Sequence, residues 1–112
     1  MDINLGNIYW LQLEESVAHP YVVIRLSSLT ADVCALTTNQ NKSNMPGNVI
    51  LDFGEGDLEK QSIVEVSKVA RVNKSYLTKF VGKLSEERVE EILKGIRFLK
   101  TTYFENRGII QT

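Results

Sequence analysis

Hydrophobic and β-branched residues in the first two thirds of the chain fall into short runs that are separated by polar turns. Runs of about four to eight residues that are rich in valine, isoleucine and aromatic side chains are typical of β-strands. Pro20 starts the second run, where a proline is tolerated because the first residue of a strand can lack the ladder donor. The pattern predicts strands at residues 8–13, 21–26, 32–37, 49–51 and 62–72.

The run at residues 62–72 is long enough to show which of its faces is buried. Side chains alternate between the two faces of a strand, so every second residue shares a face. The phase that contains Val64, Val66 and Val72 is more apolar than the phase that contains Glu65. The sequence therefore predicts that the valine phase faces the core along the whole strand.

A helix is predicted near the C-terminus, from residue 85 to about residue 100. Ser85 is a favourable N-cap, and Glu86 and Glu87 place negative charge at the positive end of the helix dipole. Apolar residues recur at helical spacing and predict a stripe that packs on the sheet. The stripe consists of Val89, Ile92, Leu93, Ile96 and Leu99.

Two further segments complete the predicted organisation. Residues 74–79 favour a short helical turn, which residues 80–83 connect to the long helix. Residues 101–112 are predicted to be a tail outside a core of about 5–100. The tail is expected to dock on the domain or on a partner through its apolar side chains, because such groups are unfavourable in water. These are Tyr103, Phe104, Ile109 and Ile110.

Length and composition are those of one small globular domain. The chain has 112 residues, 43% of them hydrophobic and 24% charged, which is enough to bury a core without a metal or a disulfide. No apolar run approaches the ~20 residues of a membrane helix. The acidic start at Asp2 does not fit a secretory signal. The expectation is a cytoplasmic protein.

Charge is distributed unevenly, although the net charge is only −1. Residues 1–59 hold two basic and eight acidic side chains, a formal charge of −6, whereas residues 60–112 hold eleven basic and six acidic ones, a charge of +5. Six basic residues lie between Lys60 and Lys83, where Glu65 is the one acidic residue. Such a band can neutralise phosphates, and it is equally compatible with a solvated surface.

Several kinds of chemical site are excluded or disfavoured by the residues present. One histidine and one cysteine cannot form a structural zinc cluster, and neither GxxxxGK[ST] nor GxGxxG occurs. Cys34 lies between Val33 and Ala35, which indicates a core residue and not a nucleophile paired with His19. No cofactor is expected.

Five segments, taken in order and at their spacings, resemble the MazF/PemK family of toxin ribonucleases. The resemblance covers roughly residues 5–100, and it depends on the series because each segment alone is common in β proteins. The segments are GNIYW at 6–10, HPYVVI at 19–24, CALTTN at 34–39, KVARVNKSYL at 68–77 and GKLS at 82–85.

The resemblance implies a fold, an activity and partners. The implied fold is a small, mainly β, SH3-like barrel with a C-terminal helix, and members of the family are usually homodimers. The implied activity is metal-independent cleavage of single-stranded RNA by attack of the neighbouring 2′-hydroxyl, which leaves a cyclic phosphate. The implied partners are single-stranded RNA and a cognate antitoxin peptide.

Two residues are catalytic candidates by this resemblance. The family has a threonine or serine at the end of the third strand, and Thr37 occupies that position, where its hydroxyl can donate to a phosphate oxygen. The family also has an arginine directly before the proline of the second strand, but this chain has His19 there. An imidazole transfers protons near neutral pH better than a guanidinium does, whereas loss of the guanidinium weakens charge stabilisation. These residues leave open whether the protein is an active or an inactive ribonuclease.

Polar residues near these candidates are possible RNA contacts. The loop after the third strand can hydrogen-bond to unpaired base edges, and basic residues of the band can contact phosphates. Of Tyr9 and Trp10, which lie on opposite strand faces, one is expected in the core and the other is free to stack on a base or to line a dimer contact. The candidate RNA-binding residues are Thr38, Asn39, Gln40, Lys42, Lys68, Arg71 and Lys74.

The alternative function is that of a binding protein with the same fold. Loss of the arginine and the short loop at residues 14–18 favour it. Such a protein would hold an antitoxin or nucleic acid without cleavage, or inhibit a topoisomerase by contact, as the related CcdB toxins do. A purely structural adaptor is a third class.

Overall fold

The computed structural model describes residues 2–13 and 17–111, with side chains as far as residue 100. Within these residues the chain forms six strands, three short 3-10 turns and one long helix. The 3-10 turns lie at Gln40–Asn44, Glu55–Asp57 and Lys74–Tyr76. The strands are β1 (Asn7–Leu11), β2 (His19–Leu26), β3 (Thr30–Thr37), β4 (Val49–Ile50), β5 (Ile63–Asn73) and β6 (Phe80–Lys83), and the helix is α1 (Glu86–Gln111).

The six strands form one antiparallel sheet in the order β4-β5-β3-β2-β1-β6, curled into a half-barrel. The predicted mainly β fold with a C-terminal helix is confirmed. β6 is a difference, because residues 80–83 were expected only to connect two helical segments. Its pairing with β1 is a long-range contact that local sequence does not reveal.

Each face of the sheet carries an apolar cluster. Successive residues of a strand point to opposite faces and therefore belong to different clusters. Ile8 and Val22 pack on the side of α1, whereas Tyr9 and Val23 pack on the opposite side. Cys34 is fully buried, as predicted, and burial raises the pKa of its thiol to about 12. A thiol with so high a pKa is not a nucleophile at neutral pH.

The alternation in β5 predicted that one face of the strand lies in the core along its whole length, and this prediction is wrong. Cys34 pairs with Val69 but Leu36 pairs with Val64, so β5 bulges by several residues between these two pairs. Val66 consequently packs on the side of α1, whereas Val72 belongs to the opposite cluster. A bulge is set by pairing with the neighbouring strand, and alternation within one strand cannot show it.

Helix α1 begins as the sequence predicts and extends past its predicted end. The Ser85 hydroxyl accepts a hydrogen bond from the Arg88 backbone N–H at 3.2 Å, which is the N-cap contact. The helix continues to Gln111, because residues 101–107 contain neither glycine nor proline to stop it. The tail side chains Tyr103, Phe104, Ile109 and Ile110 lie outside the described residues. None of the described helices is long and apolar enough to cross a membrane.

Two glycines bring β6 against the turn at Glu55–Asp57. A Cβ atom at Gly82 would collide with the Gly56 carbonyl oxygen, so the two backbones touch where neither has a side chain. Asp57 follows with a left-handed φ of 58°, which few residues other than glycine, asparagine and aspartate adopt readily. This close approach places Val81 and Asp57 in the wall of one cleft.

Arg88 joins helix α1 to the same turn. Its guanidinium donates two hydrogen bonds to Glu55, at 2.9 Å and 3.0 Å, and one to Glu91 at 3.0 Å. Burial acts to raise the pKa of Glu55, but the hydrogen bonds from Arg88 and from the Asp52 N–H hold the pKa below its usual value. The ion pair is therefore expected to stabilise the fold and the turn that lines the cleft.

Arg88→Met should lower the free energy of unfolding by about 2 kcal/mol at pH 7, because it leaves Glu55 half-buried without its partner. Since the folded pKa of Glu55 is depressed, its contribution is present above the unfolded value of about 4.3 and is lost as the pH falls through the lower folded value. The difference between variant and wild type should therefore shrink in acid. Denaturant titration at several pH values measures it, with Lys94→Met, exposed on the same helix, as the control. A difference independent of pH would contradict this assignment.

Candidate functional site

A cleft of about 470 Å³ lies where β2 begins and β3 ends. Strand pairing builds it: Leu11 is opposite His19 in the β1–β2 pair, and Thr37 is opposite Ile63 in the β3–β5 pair. The two catalytic candidates, which are 18 positions apart in the sequence, line this one cleft. The polar and aromatic side chains that share the lining are Trp10, His19, Thr37, Thr38, Asp57, Glu59, Lys60 and Ser62.

Thr37 ends β3 with its hydroxyl held in place. The oxygen accepts a hydrogen bond from the Asn39 backbone N–H at 3.1 Å, so the hydroxyl hydrogen remains to donate to another group. Asn39 in turn accepts from the Asn41 N–H at 3.1 Å and thereby starts the 3-10 turn. The polar loop after β3 is thus ordered by its own side chains.

His19 starts β2 and is half-buried in the wall of the cleft. Within the part of the chain that the structure describes, no hydrogen bond or ion pair occupies its imidazole. The ring nitrogens are therefore available to accept or donate a proton to a molecule in the cleft. Because Pro20 follows it and pairs with Trp10, the backbone that carries the imidazole belongs to the regular sheet.

Trp10 and Tyr9 have separate environments, as their alternation predicts. The side chain of Tyr9 is 1% exposed and packs edge-on against Phe80, with ring centroids 5.7 Å apart. Trp10 is 47% exposed, and it lines both this cleft and a neighbouring one that includes Arg71, Tyr76 and Lys79. An exposed indole beside a polar cleft is a platform on which a base can stack.

The loop candidates for RNA contact lie at one end of the cleft. Thr38 lines it, and Asn39 and Gln40 are exposed directly after it. The Gln40 side-chain amide donates to the carbonyl oxygens of Thr38 at 3.2 Å and Gln61 at 3.3 Å, which ties this loop to the segment before β5. Lys42 is half-buried further along the turn and does not line the cleft.

Three basic candidates on or after β5 lie away from His19 and Thr37 and are engaged within the chain. Lys68 is 3.7 Å from Glu65, and the Lys74 ammonium donates to the Ser28 carbonyl oxygen at 3.2 Å. Arg71 donates to Asp32 at 2.8 Å, and this hydrogen bond lowers the pKa of the Asp32 carboxyl. The structure does not bring them into the cleft.

No group of three histidine, cysteine, aspartate or glutamate side chains within the described residues is arranged to hold a metal ion. The acidic residues of the cleft, Asp57 and Glu59, are accompanied by a lysine and a histidine. The arrangement offers an imidazole, hydroxyl groups that include Thr37, and the ammonium of a lysine around a space open to solvent.

The model of one protein family matches residues 4–99 of the chain: PemK-like, MazF-like toxins of type II toxin–antitoxin systems. The chain belongs to this toxin family. The match includes β1 to β6 and the start of α1, and thus every strand that builds the cleft.

Curated relatives of this PemK/MazF-like chain are mycobacterial. It is 35% identical over 111 aligned residues to Endoribonuclease MazF6 of Mycobacterium tuberculosis and to Endoribonuclease MazF2 of Mycobacterium bovis. The alignment covers 87% of this chain and 96% of each relative.

Solved structures support the same fold. An endoribonuclease in complex with its cognate antitoxin, from a mycobacterial species, superposes with a TM-score of 0.70 at 15% identity, covering 85% of this chain and 91% of that one. A second mycobacterial endoribonuclease gives a TM-score of 0.67 at 17% identity, covering 86% and 89%. At these identities the likeness shows the PemK/MazF fold alone.

Sequence reasoning missed the second wall of the cleft. Asp57, Glu59, Lys60 and Ser62 were not candidates, yet they lie beside Thr37. The signal that would have found them is the register of β3 on β5, because the residues before Ile63 must lie next to the end of β3. The charge counts located the basic band in the second half of the chain, but they did not show which basic residues of the band reach the site.

Proposed function

We propose that this PemK/MazF-like toxin is an endoribonuclease that cleaves single-stranded RNA without a metal ion. The observation that carries the proposal is the meeting of His19 and Thr37 in one cleft. The curated relatives, which align over 87% of this chain, are named endoribonucleases, and this supports the proposal.

In the proposed reaction the 2′-oxygen attacks the adjacent phosphorus, the bond to the 5′-oxygen breaks, and a cyclic phosphate forms. One proton leaves the 2′-hydroxyl and one is delivered to the departing 5′-oxygen. His19 is the group in the cleft suited to one of these transfers, because imidazoles accept and donate protons near neutral pH. Thr37 donates its hydroxyl hydrogen to a non-bridging oxygen and stabilises the charge that develops there.

Bases on either side of the scissile bond are proposed to contact the cleft rim. Thr38, Asn39 and Gln40 offer exposed polar groups for unpaired base edges, and Trp10 offers a stacking face. Four basic residues are proposed to attract phosphates of the RNA at longer range from the cleft. They are Lys42, Lys68, Arg71 and Lys74.

The test is incubation of the purified protein with a long unstructured RNA in EDTA. The proposal expects fragments whose yield increases with time and which EDTA does not reduce. Intact RNA at several pH values, with the protein folded by circular dichroism, would overturn it. Growth arrest on expression with intact cellular RNA would instead point to inhibition by protein contact.

Trp10 should report RNA binding directly, since it is the chain's one tryptophan. A 2′-O-methylated RNA, which cannot be cleaved by this route, should quench its fluorescence. Trp10→Ala should weaken binding by about 1–3 kcal/mol, the usual value of one base stacked on an aromatic ring. Phe53→Ala, at a 79% exposed aromatic residue outside the cleft lining, is the matched control. Equal affinities for wild type and Trp10→Ala would contradict the stacking role.

The proposed assembly is a homodimer in the cytoplasm that a cognate antitoxin peptide neutralises. A solved structure of the same fold is a complex with its cognate antitoxin, which supports that partner. We take the whole chain, residues 1–112, as one toxin domain. Sedimentation equilibrium should give twice the chain mass of 12.7 kDa. A monomer at micromolar concentration would contradict the dimer.

A further inference from the structure

We propose that Lys60 is the phosphate-binding cation of the cleft, a role that rests on the proposed ribonuclease function. Lys60 lies three residues before the start of β5 and lines the cleft together with His19 and Thr37. Among the described residues that form this lining, it is the one lysine or arginine. A phosphate bound between His19 and Thr37 would therefore share the cleft with this ammonium.

The charge of Lys60 is available for a ligand. Its ammonium has no carboxylate within 4.0 Å among the described residues, whereas three basic residues further along the chain are in ion pairs. Lys68 is paired with Glu65, and Arg71 with Asp32. Arg88 is held by Glu55 and Glu91. A phosphate that binds Lys60 therefore breaks no existing ion pair.

Hydrogen bonds fix the backbone that carries Lys60. The buried Ser62 hydroxyl donates to the Lys60 carbonyl oxygen at 3.0 Å, and the Gln61 amide donates to the Leu51 carbonyl oxygen at 3.1 Å. Gln40, from the loop after Thr37, donates to the Gln61 carbonyl oxygen at 3.3 Å. The segment is thus tied on both sides, and only the flexible lysine side chain must move to meet a phosphate.

The surrounding charges make a cation in the cleft favourable for phosphate binding. Asp57 and Glu59 line the same cleft, and their carboxylates repel a phosphodiester. The Lys60 ammonium in the same cleft offsets part of that repulsion and, together with the Thr37 hydroxyl, stabilises negative charge on the non-bridging oxygens. With a neutral imidazole at His19, the side chains of the lining carry a formal charge of −1 with Lys60 and −2 without it.

The test compares Lys60→Gln with wild type for binding of a short 2′-O-methylated single-stranded RNA over a range of salt concentrations. We expect about tenfold weaker binding at low salt. The slope of log affinity against log salt should fall by about 0.7, the value for one lost phosphate contact on a single strand. Lys60→Arg should retain both the affinity and the slope, because it keeps the charge.

Lys94→Gln removes the same charge from an exposed position on α1 and should leave the slope unchanged. Thermal unfolding of the variants should match that of wild type, which separates charge from folding. Wild-type affinity and slope in Lys60→Gln would overturn the role of Lys60, even if the protein cleaves RNA. If wild type binds the 2′-O-methylated RNA but cleaves no unmodified RNA, the nuclease proposal fails while the binding data still decide on Lys60. If wild type binds no RNA, both fail.

Discussion

Replacing His19 by alanine should lower the rate of RNA cleavage by about 10² to 10⁴-fold, the usual contribution of a positioned acid or base. Folding stability should change little, because the imidazole makes no hydrogen bond or ion pair within the described residues. The measurements are single-turnover cleavage of a defined RNA and denaturant unfolding of the same preparations. The loss should lie in the chemical step and not in RNA affinity.

Two readouts separate proton transfer from a structural role for His19. Wild-type cleavage should depend on pH through proton transfer by the imidazole, and the alanine variant should lose that part of the dependence. Free imidazole added to His19→Ala should restore part of the rate, since the truncated side chain leaves space in the cleft. Cleavage by His19→Ala at the wild-type rate, with the wild-type pH profile, would contradict the assignment.

Replacing Thr37 by valine should lower the cleavage rate by about 10² to 10³-fold, the usual effect of removing one donor to a developing oxyanion. Valine keeps the shape and removes the hydroxyl, which is the proposed donor to the phosphate. The free energy of unfolding should fall by only about 1 kcal/mol, because one exposed hydrogen bond from the Asn39 N–H is lost.

The controls for Thr37 come from the same strand. Thr37→Ser keeps the hydroxyl and should retain most of the activity. Thr30→Val removes a hydroxyl at the other end of β3 and should leave cleavage unchanged. A Thr37→Val variant that cleaves RNA as fast as wild type would remove this residue from the proposed mechanism.

Local pattern was sufficient for much of the fold. The strands around Ile8, Val22 and Cys34 and the start of α1 at Ser85 were predicted, because side-chain period and helix capping depend on neighbouring residues. β6 and the bulge in β5 were not predicted. Both depend on pairing with a distant strand, β1 in one case and β3 in the other.

The candidate site, too, was predictable only in part. His19 and Thr37 were selected by resemblance to a toxin family and lie together in one cleft. Lys60 was not selected, because its position beside Thr37 follows only from the pairing of Thr37 with Ile63. Charge counting likewise could not show that Arg71 is paired with Asp32, and its proposed contact with RNA stays a prediction.

The most direct test of the proposed reaction is mass spectrometry of the RNA products formed in EDTA. Two RNAs are compared: an all-ribose RNA, and the same RNA with a single 2′-deoxy nucleotide at the mapped cleavage position. We expect a 2′,3′-cyclic phosphate on the upstream fragment, a 5′-hydroxyl on the downstream fragment, and no cleavage at the deoxy position. Cleavage of the deoxy substrate there, or a downstream fragment that carries a 5′-phosphate, would contradict attack by the 2′-hydroxyl.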